Sequence, residues 1–146
     1  MNTFITASRG IHVLPRREQW SLEHFLEVHF GPNFSWVEGS CLWWVRNHSD
    51  LPREVCSTAA GWKWYELSNG GAFMAPEDSS GDVFVQTPNY RGRLRIQSAA
   101  IVACLHVFNE LHFHHQGAEF DRHYRLLRRF VVGLTDAVDI LDASEH

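Results

Sequence analysis

The apolar positions change period twice along the chain. From about residue 21 to 50 and again from 98 to 144 they recur at three- and four-residue spacing, as on amphipathic helices; between 61 and 97 they alternate, as in strands. "SLEHFLEVHFGP" predicts a short helix capped by Ser21, with Glu23 in its first turn and Gly31-Pro32 as its stop. Leu22, Phe25, Leu26 and His29 make its buried stripe. "SWVEGSCLWWVRNHSDLP" predicts a second helix capped by Ser35. One stripe holds Val37, Cys41 and Trp44, with Trp36, Ser40 and Trp43 beside it, so this helix is expected to lie mostly inside.

The centre reads as four strands. In "GWKWYELSNGGAFMAP" the Asn69-Gly70 pair predicts a type I′ hairpin turn, because both central residues need positive φ. That register sets Leu67 opposite Ala72, Glu66 opposite Phe73, Tyr65 opposite Met74 and Trp64 opposite Ala75. Trp62, Trp64, Glu66, Phe73 and Ala75 then share one face, and part of the aromatic surface near Trp62 and Trp64 is expected to be exposed. "DVFVQTP" and "RGRLRIQ" supply two further strands; in the second, Leu94 and Ile96 alternate with Arg93, Arg95 and Gln97, so one face is wet.

Three helices are expected to follow. "SAAIVACLHVFNELHFHH" is capped by Ser98 and lines Ile101, Cys104, Leu105, Phe108, Leu111 and His112 on one face. Gly117 breaks it. "EFDRHYRLLRRFVVGL" resumes, with Phe120, Tyr124, Leu127, Val131 and Leu134 on one side, and "TDAVDILDASEH" ends the chain with Thr135 as N-cap. The expectation is a single α+β domain over residues 1–146, ordered αα-ββββ-ααα, with a four-stranded antiparallel meander and an irregular arm over 1–17.

Composition narrows the function classes. The chain has 146 residues, 45% of them hydrophobic and 21% charged, with a net charge of −4, so it can bury a core and is not disordered. That charge is too small for wholesale DNA mimicry, and its sign argues against a general nucleic-acid binder. Three cysteines without a C-x-x-C pair fit free thiols in a reducing cytoplasm. No secretory signal and no apolar run of about 18 residues is visible, so a cytoplasmic location without membrane association is expected.

Catalytic signatures are missing: there is no G-x-S-x-G, no P-loop and no H-E-x-x-H. Five histidines between His106 and His123 offer helical spacings (His112 with His115, Glu110 with His114, His115 with Glu119) that would serve a metal site or metal-dependent enzyme. A histidine-rich helix end is the simpler reading, and no cofactor is expected. Arg122, Arg125, Arg128 and Arg129 give a basic helix surface that would serve direct DNA binding, although a solvated face accounts for it. Asp136, Asp139, Asp142 and Glu145 recur every three residues as a slanting acidic stripe.

"WKWYELSNGGAFMAP", a following strand pair, and "SAAIVACLHVFNELHF" with the tyrosine-bearing helix after it resemble the plasmid and genomic-island antirestriction family of the ArdB/KlcA type, over about Gly61 to Asp142. "YELSNGGAFMAP" is the most specific part; "HFGPNF" is weaker. The resemblance implies a bacterial protein that lessens Type I restriction–modification, with neither catalysis nor a cofactor. The expected partner is the Type I complex or a factor it needs, and a monomer is favoured. The expected contacts are Trp62, Trp64, Asp136, Asp139 and Asp142, since aromatic side chains anchor interfaces and acids complement the basic channel of a DNA-handling enzyme.

Overall fold

The computed structural model describes residues 10–15, 17–115 and 118–145. Helices α1 (Leu22–Phe30) and α2 (Ser35–His48) are linked by a 3₁₀ turn, Gly31–Asn33. Strands β1 (Trp62–Glu66), β2 (Ala72–Pro76), β3 (Asp82–Thr87) and β4 (Tyr90–Arg95) follow, then helices α3 (Ile96–His115), α4 (Ala118–Val132) and α5 (Ala137–Ser144). The element order is the expected one and the class is α+β. The break expected at Gly117 and most of the arm expected over 1–17 lie outside the described residues.

The four-stranded meander is corrected. β1 pairs with β2 and β3 with β4, both antiparallel, and the two hairpins do not join. The reason lies at the strand edges. The edge of β2 that would meet β3 is taken by α3: the Met74 amide faces Cys104 Sγ at 3.5 Å, and that thiol faces the Met74 carbonyl at 3.8 Å. The outer edge of β3 is taken by the segment leaving α2, where the Asp50 amide donates to the Phe84 carbonyl at 3.1 Å and Asp50 Oδ1 accepts from the Phe84 amide at 2.8 Å. With the middle of each facing edge occupied in this way, β2 and β3 cannot lie side by side as ladder neighbours. β1 is extended in the same manner by residues 12–14, with Leu14 donating to the Glu66 carbonyl at 2.8 Å.

The first hairpin is shifted by one residue from the expected register: Trp64 faces Met74, Tyr65 faces Phe73 and Glu66 faces Ala72. Its loop is Ser68-Asn69-Gly70, closed by the Gly70 amide on the Leu67 carbonyl at 2.9 Å, with Gly70 at φ +93°. Here only one residue needs positive φ, so the glycine serves a bulged three-residue loop instead of a type I′ turn. Asn69 fixes the choice: Oδ1 accepts from the Gly71 amide and Nδ2 donates to the Leu126 carbonyl of α4, both at 2.9 Å. As a result Met74 and Ala72 lie on the Trp face, and Phe73 and Ala75 on the Tyr65 face.

α3 is the spine. Residues 99–105 are all buried, and so are Val107, Phe108 and Leu111, so the helix is enclosed nearly all round and not along one stripe. It packs on α2, α4, α5, β2, β3 and β4. It starts directly after β4, at Ile96, so Ser98 lies inside its first turn and not at its cap; its hydroxyl donates to Asp136. Ser21 does cap α1, accepting from the His24 amide at 3.1 Å, and Gly31 ends it at φ +71°. Ser35 and Thr135 do not cap; Phe34 and Asp136 stand at those positions without a side-chain cap bond. On α1 the buried residues are Leu26, His29 and Phe30, while Leu22 faces outward. On α2, Val37, Cys41 and Trp44 are buried as expected, but Trp36 and Trp43 are 52% and 55% exposed. That helix borders the molecule instead of crossing it.

Because Asn69 ties the hairpin loop to α4, Asn69→Ala removes two hydrogen bonds at a half-buried site. The expected loss is about 1–2 kcal/mol, read as a fall of roughly 2–8 °C in melting temperature by circular dichroism, with the helical signal of the folded state unchanged.

Candidate functional site

Two features stand out: a buried polar chain, and an open cleft bordered by an exposed aromatic. The chain begins at the surface. Arg17 Nε donates to Glu66 Oε1 at 2.7 Å, Glu66 Oε2 accepts from His29 Nε2 at 2.9 Å, and His29 Nδ1 lies 3.3 Å from His123 Nε2. Exposure falls along it, from Arg17 through Glu66 and His29 to His123, which is 0% exposed. Local sequence explains each position. Glu66 ends β1, His29 sits on the buried side of α1, and His123 faces inward from α4 between Phe120 and Leu127.

The partners set the protons. A carboxylate accepts only, so His29 Nε2 carries a hydrogen. Burial lowers the His29 pKa, against the raising pull of Glu66, so the ring is neutral and its Nδ1 is an acceptor. His123 Nε2 therefore donates to it, and His123 Nδ1 is left as a buried lone pair without a hydrogen-bond partner among the described residues. Burial, then the neighbouring His29 and Arg122, push the His123 pKa down to about 3. Phe30, Phe108 and Phe120 surround this end of the chain, with the Phe30 and His123 ring centroids 4.6 Å apart. Such an arrangement orients imidazoles, but it is sealed from substrate; its physical role is to dock α1 against β1 and α4.

The cleft is about 530 Å³ and is lined by Asn47, His48, Ser49, Asp50, Phe84, Gln86, Thr87 and Pro88. It opens where the chain leaving α2 diverges from the edge of β3. His48 stacks on Trp44 at 4.6 Å between centroids, and the exposed Trp43 stands edge-on to His48 at 6.2 Å. Phe84 is half-buried, with the Arg91 guanidinium 5.7 Å from its ring centroid.

The residues singled out from sequence are placed as follows. Trp62 is 9% exposed and its indole N–H donates to the Val55 carbonyl at 2.7 Å. Trp64 is half-buried, donates to Glu38 Oε2 at 3.0 Å and packs on Phe25 and Phe30. Both indoles are thus engaged within the fold, and the more exposed tryptophans are Trp36 and Trp43. Of the acidic stripe, Asp136 is engaged internally, accepting from Arg95 at 3.2 Å and from Ser98, while Asp139 and Asp142 are exposed. Both lie near Tyr90, whose pKa is raised by burial and then by the fields of Asp139, Asp136 and Asp142.

In the histidine segment, Glu110 sits between His106 at 3.8 Å and His114 at 3.1 Å. No group of three or more His, Cys, Asp or Glu side chains among the described residues converges to hold a metal ion, and the His115 side chain lies outside them. Arg122, Arg125, Arg128 and Arg129 are exposed, and Arg125 pairs with Asp121 at 3.0 Å. Among the described residues no helix is long and apolar enough to cross a membrane.

Comparison with known proteins adds to this geometry. The profile of a family described as antirestriction protein matches residues 57–144. Antirestriction protein KlcA from Escherichia coli is 30% identical over 129 residues, which span 83% of this chain and 86% of the relative. A second Escherichia coli KlcA is 35% identical over 94 residues, 60% of this chain and 59% of that protein. A solved structure from work on KlcA and ArdB superposes with a TM-score of 0.70 at 28% identity, covering 99% of this chain and 100% of that one. Those proteins are described as having a novel fold and antirestriction activity against Type I DNA restriction systems in vivo but not in vitro.

The buried pair makes stability depend on pH with a definite sign. Both histidines have folded-state pKa values below the unfolded value, so below about pH 6.5 the unfolded chain takes up protons that the folded chain refuses. Stability is full above that pH and falls by up to about 1.4 kcal/mol per pH unit for each such group as the solution is acidified. Urea denaturation at pH 7.5 and 5 is expected to show a smaller fall for His123→Phe than for the wild type. Equal falls would mean that the pair is not the sensitive element.

Proposed function

The chain belongs to the antirestriction protein family, and from that premise we propose that it lessens Type I restriction in the bacterial cell by binding a protein, without catalysis. The observation that carries this reading is the likeness over the whole chain to KlcA and ArdB, which are active against Type I systems. Loss of that activity in vitro fits action through a further cellular component. The partner is therefore the restriction complex together with, or by way of, a factor absent from a purified assay. The protein acts in the cytoplasm, as a monomer, without a cofactor and without strong binding to duplex DNA; a net charge of −4 agrees with the last point.

Asp139 and Asp142 are the acidic contacts in this reading. They are exposed and lie together beside β4, where they complement a basic protein surface. Asp136 is already engaged by Arg95 and Ser98, so this reading places the contact on the other two acids.

The test is plating of unmodified phage on cells with an active Type I system. Wild-type protein is expected to raise plating efficiency and to leave modified phage unaffected. Asp139→Asn with Asp142→Asn is expected to weaken protection by about tenfold, the scale of losing about 1.4 kcal/mol of partner affinity, with an unchanged melting temperature. Full protection by the soluble double variant would remove these two acids from the contact. No protection by the wild type would remove the antirestriction reading for this chain.

A further inference from the structure

The outer edge of β3 is only half used. Phe84 turns both its amide and its carbonyl outward, where Asp50 takes them. Alternation along the strand turns the Gln86 amide and carbonyl to the same edge. Neither has a backbone partner among the described residues, because the residue that would pair next, His48, is the last of α2 and keeps helical geometry. These two groups face the cleft between residues 47–50 and 84–88.

We propose that this cleft is a docking slot for an extended segment of a partner protein, which joins β3 as an added strand. The proposal rests on the protein-binding reading above and locates its second contact. Four observations select the occupant. A strand edge offers a donor and an acceptor in alternation, which a peptide backbone matches and a phosphodiester, with acceptors only, does not. The edge already holds one extended acidic residue of this chain, Asp50, in that manner. Arg91 lies directly across from Gln86, is exposed, and makes no ion pair among the described residues, so a carboxylate from the occupant meets it. Phe84, Pro88 and, at the rim, Trp43 receive an apolar side chain next to that acid. The occupant is thus an extended segment with an acidic and an apolar residue, supplied by the restriction complex or its cellular factor.

The same phage assay, with melting curves for each variant, tests the slot. Gln86→Pro removes the outward amide, at the kind of edge position where proline is tolerated. Gln86→Ala removes the side chain and keeps the amide. Protection is expected to fall about tenfold for Gln86→Pro and to stay within about twofold for Gln86→Ala. Arg91→Glu, a surface change independent of the backbone, is expected to weaken protection to a similar degree, and it keeps the test decisive if Gln86→Pro does not fold. Full protection by folded Arg91→Glu, or by folded Gln86→Pro, overturns the slot while leaving the antirestriction reading in place. An unprotected wild type overturns both. A short single-stranded oligonucleotide shifted in a gel by the wild type and not by Arg91→Glu would replace the peptide with nucleic acid and also overturn the proposal.

Discussion

The enclosure of helix α3 is the constraint on which the rest of the structure depends. A helix apolar all round must be covered all round, and here two hairpins and three helices do it. Its position also decides where strands can pair. Cys104 occupies the edge of β2 with a thiol, a weak partner that nevertheless closes the edge to another strand. Ser98, drawn into the first turn and buried, finds Asp136 and so fixes the start of α5. The two hairpins are held by the helix between them and not by each other.

Against this apolar spine the chain Arg17–Glu66–His29–His123 is the main polar intrusion. Two of its members are neutral rings at ordinary pH, so the interior carries no imidazolium that would need solvation. The His123 lone pair, unpaired among the described residues, is a cost left in place. Replacing these groups with apolar residues need not weaken the fold, since a buried polar set is a poor source of net stability. What the chain supplies is orientation: one end is solvated, the other sits among phenylalanines, and α1 has a single docked position that satisfies both.

The proposed contacts fall on the surfaces this packing leaves uncovered. The exposed indole of Trp43, the cleft beside β3 and the acids of α5 are joined through the β3–β4 turn, where Asn89 donates to the Glu145 carbonyl at 3.4 Å. A surface assembled from helix ends, a strand edge and a turn is suited to protein contact, and its shape depends on the two hairpins staying apart. Had β2 covered β3, as in a meander, the cleft would not exist.

Period and turn chemistry determined much of this without coordinates. The helical spacing around Leu26, Cys41, Phe108 and Leu127 gave the helices and most of the core, and alternation gave the four strands. "YELSNGGAFMAP" marked the family because its turn and strands are local and continuous in sequence. The tertiary structure decided what depended on distant partners. Asn69-Gly70 suits more than one loop, and the Leu126 carbonyl, far along the chain, selected the bulged one and with it the faces of β2. His29 could be placed on a buried stripe, yet a lone histidine does not name Glu66 and His123 as its neighbours. Trp36 and Trp43 looked internal because aromatic residues usually are; only the placement of α2 at the border turned them outward. Whether a strand edge is covered or open is set by which element reaches it, and that is not written in the strand itself.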